Sequence, residues 1–372
     1  MMVSSKFVYS DEALQNLHIE DPSILDRLID RAEAREVHLS KRHDKFDKRM
    51  TLKDAVGKYV SDGDVVADTG FGYVRTPIQV HFEIMRQGKK ELHYIGSPNT
   101  NHSYVAFNGN CAYSHTSYTG AEMRGTDRLY HKLIRDGRVK VLSEWSHGSM
   151  GMGFKAAQFG APYITCKQML GSDMIKYNPY LKVMDDPYSK DKSPVCVVPA
   201  LHPDVTFIHC QQADIYGNAK IIGPTVNDIA LAFASKKVVI TCEEILPHTE
   251  MRFNTKDNVI PFYLVDAVVE LPYGCLPGMC PGYYYWSREW WEWMLRISTK
   301  NYEGVREWVD YWMLDSDGPF DTVQKLNHHL GGASYIHNLK RLQRAEEYLV
   351  EDIGVDYEYT QVIPIWETKE EG

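Results

Sequence analysis

What the chain lacks narrows it first. No uninterrupted apolar run is long enough to span a bilayer, and the opening residues Met1–Ser10 lack the apolar centre of a secretory signal. Seven cysteines among 372 residues are odd in number and thinly spread, which argues against a disulfide framework and suits a reducing compartment. Acidic residues outnumber basic ones, 50 to 41, for a formal net charge of −9. A broad nucleic-acid surface would need a basic stripe, and the balance argues against one. An anionic small molecule stays compatible, because one local arginine or helix terminus overrides a distant net charge. The expected setting is the cytoplasm, with neither membrane nor nucleic acid as partner.

Several chemical signatures are missing too. There is no G-x-S-x-G nucleophile elbow and no H-E-x-x-H pair. Cys275-Leu276-Pro277-Gly278-Met279-Cys280 has no matching second ligand pair in the sequence, so it reads as turn chemistry around Pro277-Gly278 and Pro281-Gly282, and no metal is expected. An apolar content of 44% and a charged content of 24% are those of an ordinary globular protein with a large core.

What is present centres on residues 61–77. Asp62-Gly63 signals a turn, and Val65, Val66 and Ala67 follow as a buried parallel strand would. Gly70-Phe71-Gly72 breaks that strand where a backbone or ligand can approach closely. Pro77 suits a helix start, and Ile78, Phe82 and Met85 recur at near-helical period to Arg86. A strand, a glycine turn and a helix start together favour a carboxylate, an oxyanion or a pyrophosphate, with Arg75 alongside as a fixed charge. The same pattern serves equally as a plain tight turn, since the full dinucleotide fingerprint and the P-loop ending are both absent.

Around this stretch, residues 1–45 read as a helical leader, with Asp21 capping a helix at Pro22 and an apolar stripe of Ile24, Leu25, Leu28 and Ile29. Residues 46–340 read as the main domain, opened by Thr51 and Asp54 in capping-box-like spacing, and residues 341–372 as a C-terminal helix and acidic tail. Strands are expected at 92–96, 111–118, 138–142, 195–199, 205–212, 237–241 and 265–272, with helices at 150–159 and 229–234 between them. Residues 171–194 read as a loop. The alternation predicts an α/β fold, an open, doubly wound, mostly parallel sheet with helices on both faces. In such a sheet the loops at the carboxyl ends of the strands gather ligands, which makes Asn99, Thr119, Glu122, Glu144 and His147 candidates by position. Trp286, Trp290, Trp293 and Ile297 fall at helical spacing, a packed face or, as the favoured reading, a subunit interface. A further helix is expected near 338–349.

These words, taken in order, resemble a known family. Lys48–Val56, Asp62-Gly63-Asp64, Gly70-Phe71-Gly72 with Arg75-Thr76-Pro77, Phe82–Gly88 and Pro203–Asn218 resemble class I CoA-transferases, and among them the A (α) subunits of the glutaconate CoA-transferase kind. Thr241–Ile245, Val265–Val269 and Tyr273-Gly274 continue the likeness to about Lys340. The resemblance implies a homologous B (β) subunit that completes a shared site in a heterotetramer or larger assembly, and supplies a nucleophilic glutamate. That glutamate attacks an acyl-CoA thioester and passes CoA to an acceptor carboxylate. Coenzyme A then enters only as acyl-CoA substrate, with no tightly bound cofactor. The resemblance assigns Gly70, Phe71, Gly72 and Arg75 to carboxylate or oxyanion contacts, and Asn99, Tyr118, Thr119, Gly120, Gln211 and Gln212 to the pocket lining. This chain has no Glu-Asn-Gly or Glu-Ser-Gly motif of the nucleophile-bearing half, so it should be inactive alone. Glu144 resembles in position the glutamate of ring-cleaving acyl-CoA hydrolases of the same superfamily, which makes it the catalytic candidate of an alternative reading. A binding or scaffolding protein without activity is a third.

Overall fold

The computed structural model describes residues 5–96, 102–120, 126–253, 255–298 and 301–345. The main sheet begins at its centre with β1 (Val65–Asp68) and steps outward through β2 (Leu92–Ile95), β3 (Cys111–Thr116) and β4 (Lys140–Glu144), all parallel. The chain then leaves for a separate antiparallel sheet of β5 (Tyr163–Cys166), β6 (Lys182–Asp185) and β7 (Pro194–Pro199), in the order β5-β7-β6. It returns as β8 (Val205–Ala213), parallel to the other side of β1. From there the short β9 (Ala219–Lys220), β10 (Lys237–Ile245), β11 (Asn258–Ile260) and β12 (Ala267–Glu270) complete a nine-stranded sheet. Only β9 and β11 run antiparallel to their neighbours. The strand order therefore reverses between β1 and β8, and an open α/β sheet splays its loops apart and leaves a crevice at such a point.

Alternation along the strands explains the two covered faces. Val66, Tyr94 and Phe207 enter one core with the helices Ile78–Arg86 and Arg128–Arg135, while Val65, Ala67, Ile95 and Leu142 enter a second with the helix His147–Gln158 and the leader. In the leader, Asp21 caps Pro22 and Leu25 and Leu28 are buried against the main body. The helix Ile78–Arg86 was expected to show one apolar face. Its residues 78–85 are all buried, because the helix lies between the sheet and a further layer of C-terminal helices. Gln79 donates from Nε2 to Leu276 O at 2.8 Å and Thr322 Oγ1 at 3.0 Å, while its Oε1 stays buried without a partner among the described residues.

Three expectations are corrected. Residues 171–194 are not simply a loop, since Asp173–Tyr177 forms a 3₁₀ turn and β6 pairs with β7. The strand at 195–199 belongs to that small sheet rather than the large one. The Trp-rich helix, Arg288–Ile297, is no bare interface. Trp290 and Trp291 are fully buried under the chain's own Trp308 and Trp312, whose rings lie 5.5 and 6.0 Å from that of Trp290. The last described helix runs over Ser334–Ala345, and the acidic tail lies outside the described residues. Among the described residues, no helix is long and apolar enough to cross a membrane.

Candidate active site at the carboxyl edge of the sheet

β1 ends at Asp68, and the backbone reverses at once. Gly70 has φ +94, and a Cβ there would sit 2.6 Å from Thr76 N and 2.7 Å from Arg75 C, so only glycine closes the turn. Phe71 and Val74 exchange two backbone hydrogen bonds of 2.9 Å, and Thr76 Oγ1 donates to Gly72 O at 2.8 Å. From behind, Met279 locks the turn: its N–H donates to Tyr73 O at 2.6 Å and its carbonyl accepts from Arg75 N at 2.8 Å. The result is a rigid knuckle that holds the Phe71 ring out at its tip, 38% exposed. The Phe71 amide is held by Val74, whereas the amides of Gly70 and Gly72 make no hydrogen bond among the described residues.

Arg75 is placed differently from the expectation. It is buried, and its guanidinium grips Asp228 with two contacts of 2.7 and 3.0 Å while donating to His209 O and Pro224 O. A buried arginine matched this closely to a carboxylate is a structural pair; it braces the knuckle and does not face a ligand. Gln211 is likewise buried. Its amide donates to Ile222 O and Pro281 O at 2.9 and 3.1 Å and accepts from Ile222 N. Gln212 stays at the rim, bound to Glu244 at 3.2 Å beside the Tyr283 hydroxyl. Asn99 and Glu122 lie outside the described residues.

The neighbouring strand ends close the other side of the crevice. Beyond β3, Ser117 donates its one hydroxyl proton to Gly96 O at 3.2 Å. Its oxygen also lies within hydrogen-bond distance of His147 Nδ1, at 2.9 Å. Burial lowers the His147 pKa and favours the neutral imidazole. The ring sits 5.8 Å from Phe71 and 6.1 Å from the half-exposed Tyr118. Gly120 permits Tyr118 to fold back over it, since a Cβ would overlap the phenol, and Thr119 O accepts from Asp127 N.

β4 ends in Glu144, half-buried, its carbonyl bound by Asn178 Nδ2 at 2.7 Å. Trp145 is buried next to it, with Nε1 donating to Ser143 Oγ at 2.7 Å. Ser146 and Ser149 form a reciprocal capping box at the start of the helix His147–Gln158. Strand end and helix start are thus both fixed, and with them the backbone of Glu144. Desolvation alone raises its pKa, and no cation among the described residues is bonded to it.

A buried polar layer missed by motif reading backs the knuckle. His209 on β8 bonds through Nδ1 to Thr241 Oγ1 and through Nε2 to Glu243 Oε1, both at 2.9 Å. The other Glu243 oxygen accepts from Tyr273 N at 2.8 Å. Alternation was the available signal, because His209, Thr241 and Glu243 share one face of adjacent parallel strands.

The family model for coenzyme A transferase matches residues 49–271. The chain belongs to the coenzyme A transferase family. It is 31% identical over 312 residues to the A-type subunit of glutaconate CoA-transferase from Acidaminococcus fermentans, covering 79% of this chain and 95% of that one. The crystal structure of that organism's glutaconate coenzyme A-transferase superposes with a TM-score of 0.73 at 31% identity, over 79% of this chain and 95% of that one. The A-type subunit of 3-oxoadipate CoA-transferase from Pseudomonas knackmussii is 33% identical over 63% of this chain and 83% of its own length. A cholesterol ring-cleaving hydrolase IpdA subunit of Rhodococcus jostii is 26% identical over 62% of this chain and 80% of its own. In this coenzyme A transferase the knuckle lies at the strand-order reversal, and Tyr118, Glu144 and His147 flank it at the ends of β3 and β4.

Proposed function

We propose that this chain is the A-type half of a two-subunit enzyme that moves coenzyme A between an acyl-CoA and a carboxylate. The observation that supports the reading is the knuckle beside the switch-point crevice, where the Gly70 and Gly72 amides make no hydrogen bond among the described residues and the Phe71 ring stands exposed at the tip. A B-type partner closes that crevice and brings the glutamate that attacks the thioester carbonyl. The tetrahedral oxyanion then needs preorganised N–H donors, each worth about 3–4 kcal/mol of barrier where it is well aimed. Gly70 and Gly72 supply them. Phe71, Tyr118, Thr119 and Gly120 wall the acyl group, and Gln212 lies at the rim. Arg75 and Gln211 act from behind by holding the backbone that presents these groups. The glutamyl anhydride formed in this way is split by the departing CoA thiolate, and the resulting glutamyl-CoA thioester passes CoA to the acceptor.

A second reading rests on Glu144. A carboxyl with a raised pKa and no bonded cation, three residues from a neutral imidazole, suits proton transfer better than simple binding, and the hydrolase among the relatives is consistent with it. In this reading the pair opens a carbocyclic acyl-CoA by adding water, with no covalent intermediate.

One experiment separates the two. The complex is incubated with acyl-CoA, treated with borohydride or hydroxylamine, and the modified side chain is located by mass spectrometry. Capture on a glutamate of the partner subunit supports transfer. An active complex that gives no adduct, and that loses turnover on Glu144→Gln, supports hydrolysis and contradicts the first reading.

A further inference from the structure

Behind the knuckle, residues 273–284 close over β8 and β10 and bring to one point a set of donors that neither reaction uses. The ligand atoms of His209, Glu243 and Cys280 lie within 4.8 Å of one another, and all three residues are buried. The buried Cys275 is not one of that group, but its thiol interacts with that of Cys280. We propose that His209, Glu243, Cys280 and Cys275 form a structural zinc(II) site that fastens this segment to the sheet.

Donor chemistry selects the ion. One imidazole, one carboxylate and two thiols are a mixed nitrogen, oxygen and sulfur set, which suits a tetrahedral zinc and not an oxygen-seeking magnesium or calcium. Three of these donors are within mutual reach and Cys275 is the fourth, drawn in on binding; four protein ligands with no solvent-facing position are the pattern of a structural site. Cys275 and Cys280 are separated by four residues, a spacing common in such sites. The other two ligands arrive from strands far away in sequence, so spacing alone could not pair them.

The surroundings aim these donors as the second layer of a metal site does. Thr241 Oγ1 takes His209 Nδ1 at 2.9 Å and so turns Nε2 inward. Tyr273 N–H holds one Glu243 oxygen at 2.8 Å, while the other faces His209 and also accepts the Tyr284 hydroxyl, a bond the ion would share or displace. Gly274 lets the segment close on the ring, since a Cβ there would lie 2.7 Å from His209 Cε1. Two thiolates and a carboxylate around a dication leave one negative charge, with the Arg75 guanidinium near both sulfurs. On binding, the two thiol protons and any Nε2 proton leave to solvent, four metal–ligand bonds form, and no electron is transferred. Met279 sits between the two cysteines and bonds Tyr73 and Arg75, so the ion would brace the knuckle from behind.

The test uses the full-length chain with any partner protein that co-purifies. After dialysis, elemental analysis should give about one zinc per chain, as a closed four-ligand site retains its ion, and Cys280→Ser and His209→Gln should lose it. Because those variants can also fail to fold, the wild-type chain is in addition loaded with cobalt(II). Thiolate-to-cobalt charge transfer in the near ultraviolet and intense visible bands of tetrahedral cobalt are expected, and stripping the metal should lower Tm. A folded, metal-free chain with unchanged Tm and no cobalt spectrum overturns the proposal. So does zinc that survives replacement of both Cys275 and Cys280 by serine, because the ion would then lie elsewhere.

Discussion

Arg75 and Glu144 stand at the carboxyl ends of two strands of the same sheet, and their surroundings treat them in opposite ways. Around Arg75 the charge is paired: both Nη atoms are matched to Asp228 and to two carbonyls, out of solvent, and only Nε lacks a partner among the described residues. Around Glu144 the backbone is equally rigid, but the carboxyl is left half-buried and desolvated, with its pKa raised. A neutralised buried charge holds a shape, whereas a charge kept uneasy at a crevice costs stability and retains reactivity. Arg75 is therefore scaffold behind the switch-point knuckle, and the β4 side is where proton chemistry is possible.

The sharpest way to break that contrast is to remove Arg75. Arg75→Ala strands Asp228 in the interior and should cost about 3–5 kcal/mol in urea unfolding, whereas Arg75→Met with Asp228→Leu should recover most of the loss. A small effect of the single change would mean that Arg75 is free for substrate after all. Trp290→Ala should cost about 3–5 kcal/mol by opening a cavity, and should do so in this chain without its partner. A loss seen only in the assembled complex would restore the interface reading. Next, Gly70→Ala forces a side chain into a left-handed, crowded position and should cost about 1–3 kcal/mol, with a larger loss in kcat than in KM. Phe71→Ala, at the exposed tip, should alter stability by no more than about 0.5 kcal/mol and raise KM for acyl-CoA.

The smallest effect tests the other side. A carboxyl whose folded pKa is raised binds its proton more tightly in the folded state. The stability linked to it is complete at low pH and is lost as pH rises through the folded pKa. Glu144→Gln removes that loss, so the variant should have a higher Tm than wild type at pH 7.5 and an equal one at pH 4. If the variant were less stable at pH 7.5, Glu144 would be a paired structural carboxylate.

Much of the frame was legible from the sequence. β1, β2, β8 and β10 are largely apolar runs closed by glycine or polar turns, and burial on both faces makes such runs distinct. The small sheet was not legible, because β6 is exposed along its whole length and Lys182–Asp185 carries no burial pattern to read. The Trp helix shows a second limit. Periodicity reveals that a face is covered but not what covers it, and here the cover is the chain's own Trp308 and Trp312. Arg75 shows a third, since a sequence displays the charge while its partner, Asp228, is 153 residues away. Glu144 and His147 were legible because both follow the end of a parallel strand, where position alone nominates them.

The division into scaffold and chemistry presumes a cavity finished by a second chain. Titrating this protein with its B-type partner while following acyl-CoA turnover tests that most directly. No turnover should be seen with this chain alone, and the rate should rise with added partner until the two are equimolar. Full turnover by this chain alone, unchanged when the partner is added, would contradict the account.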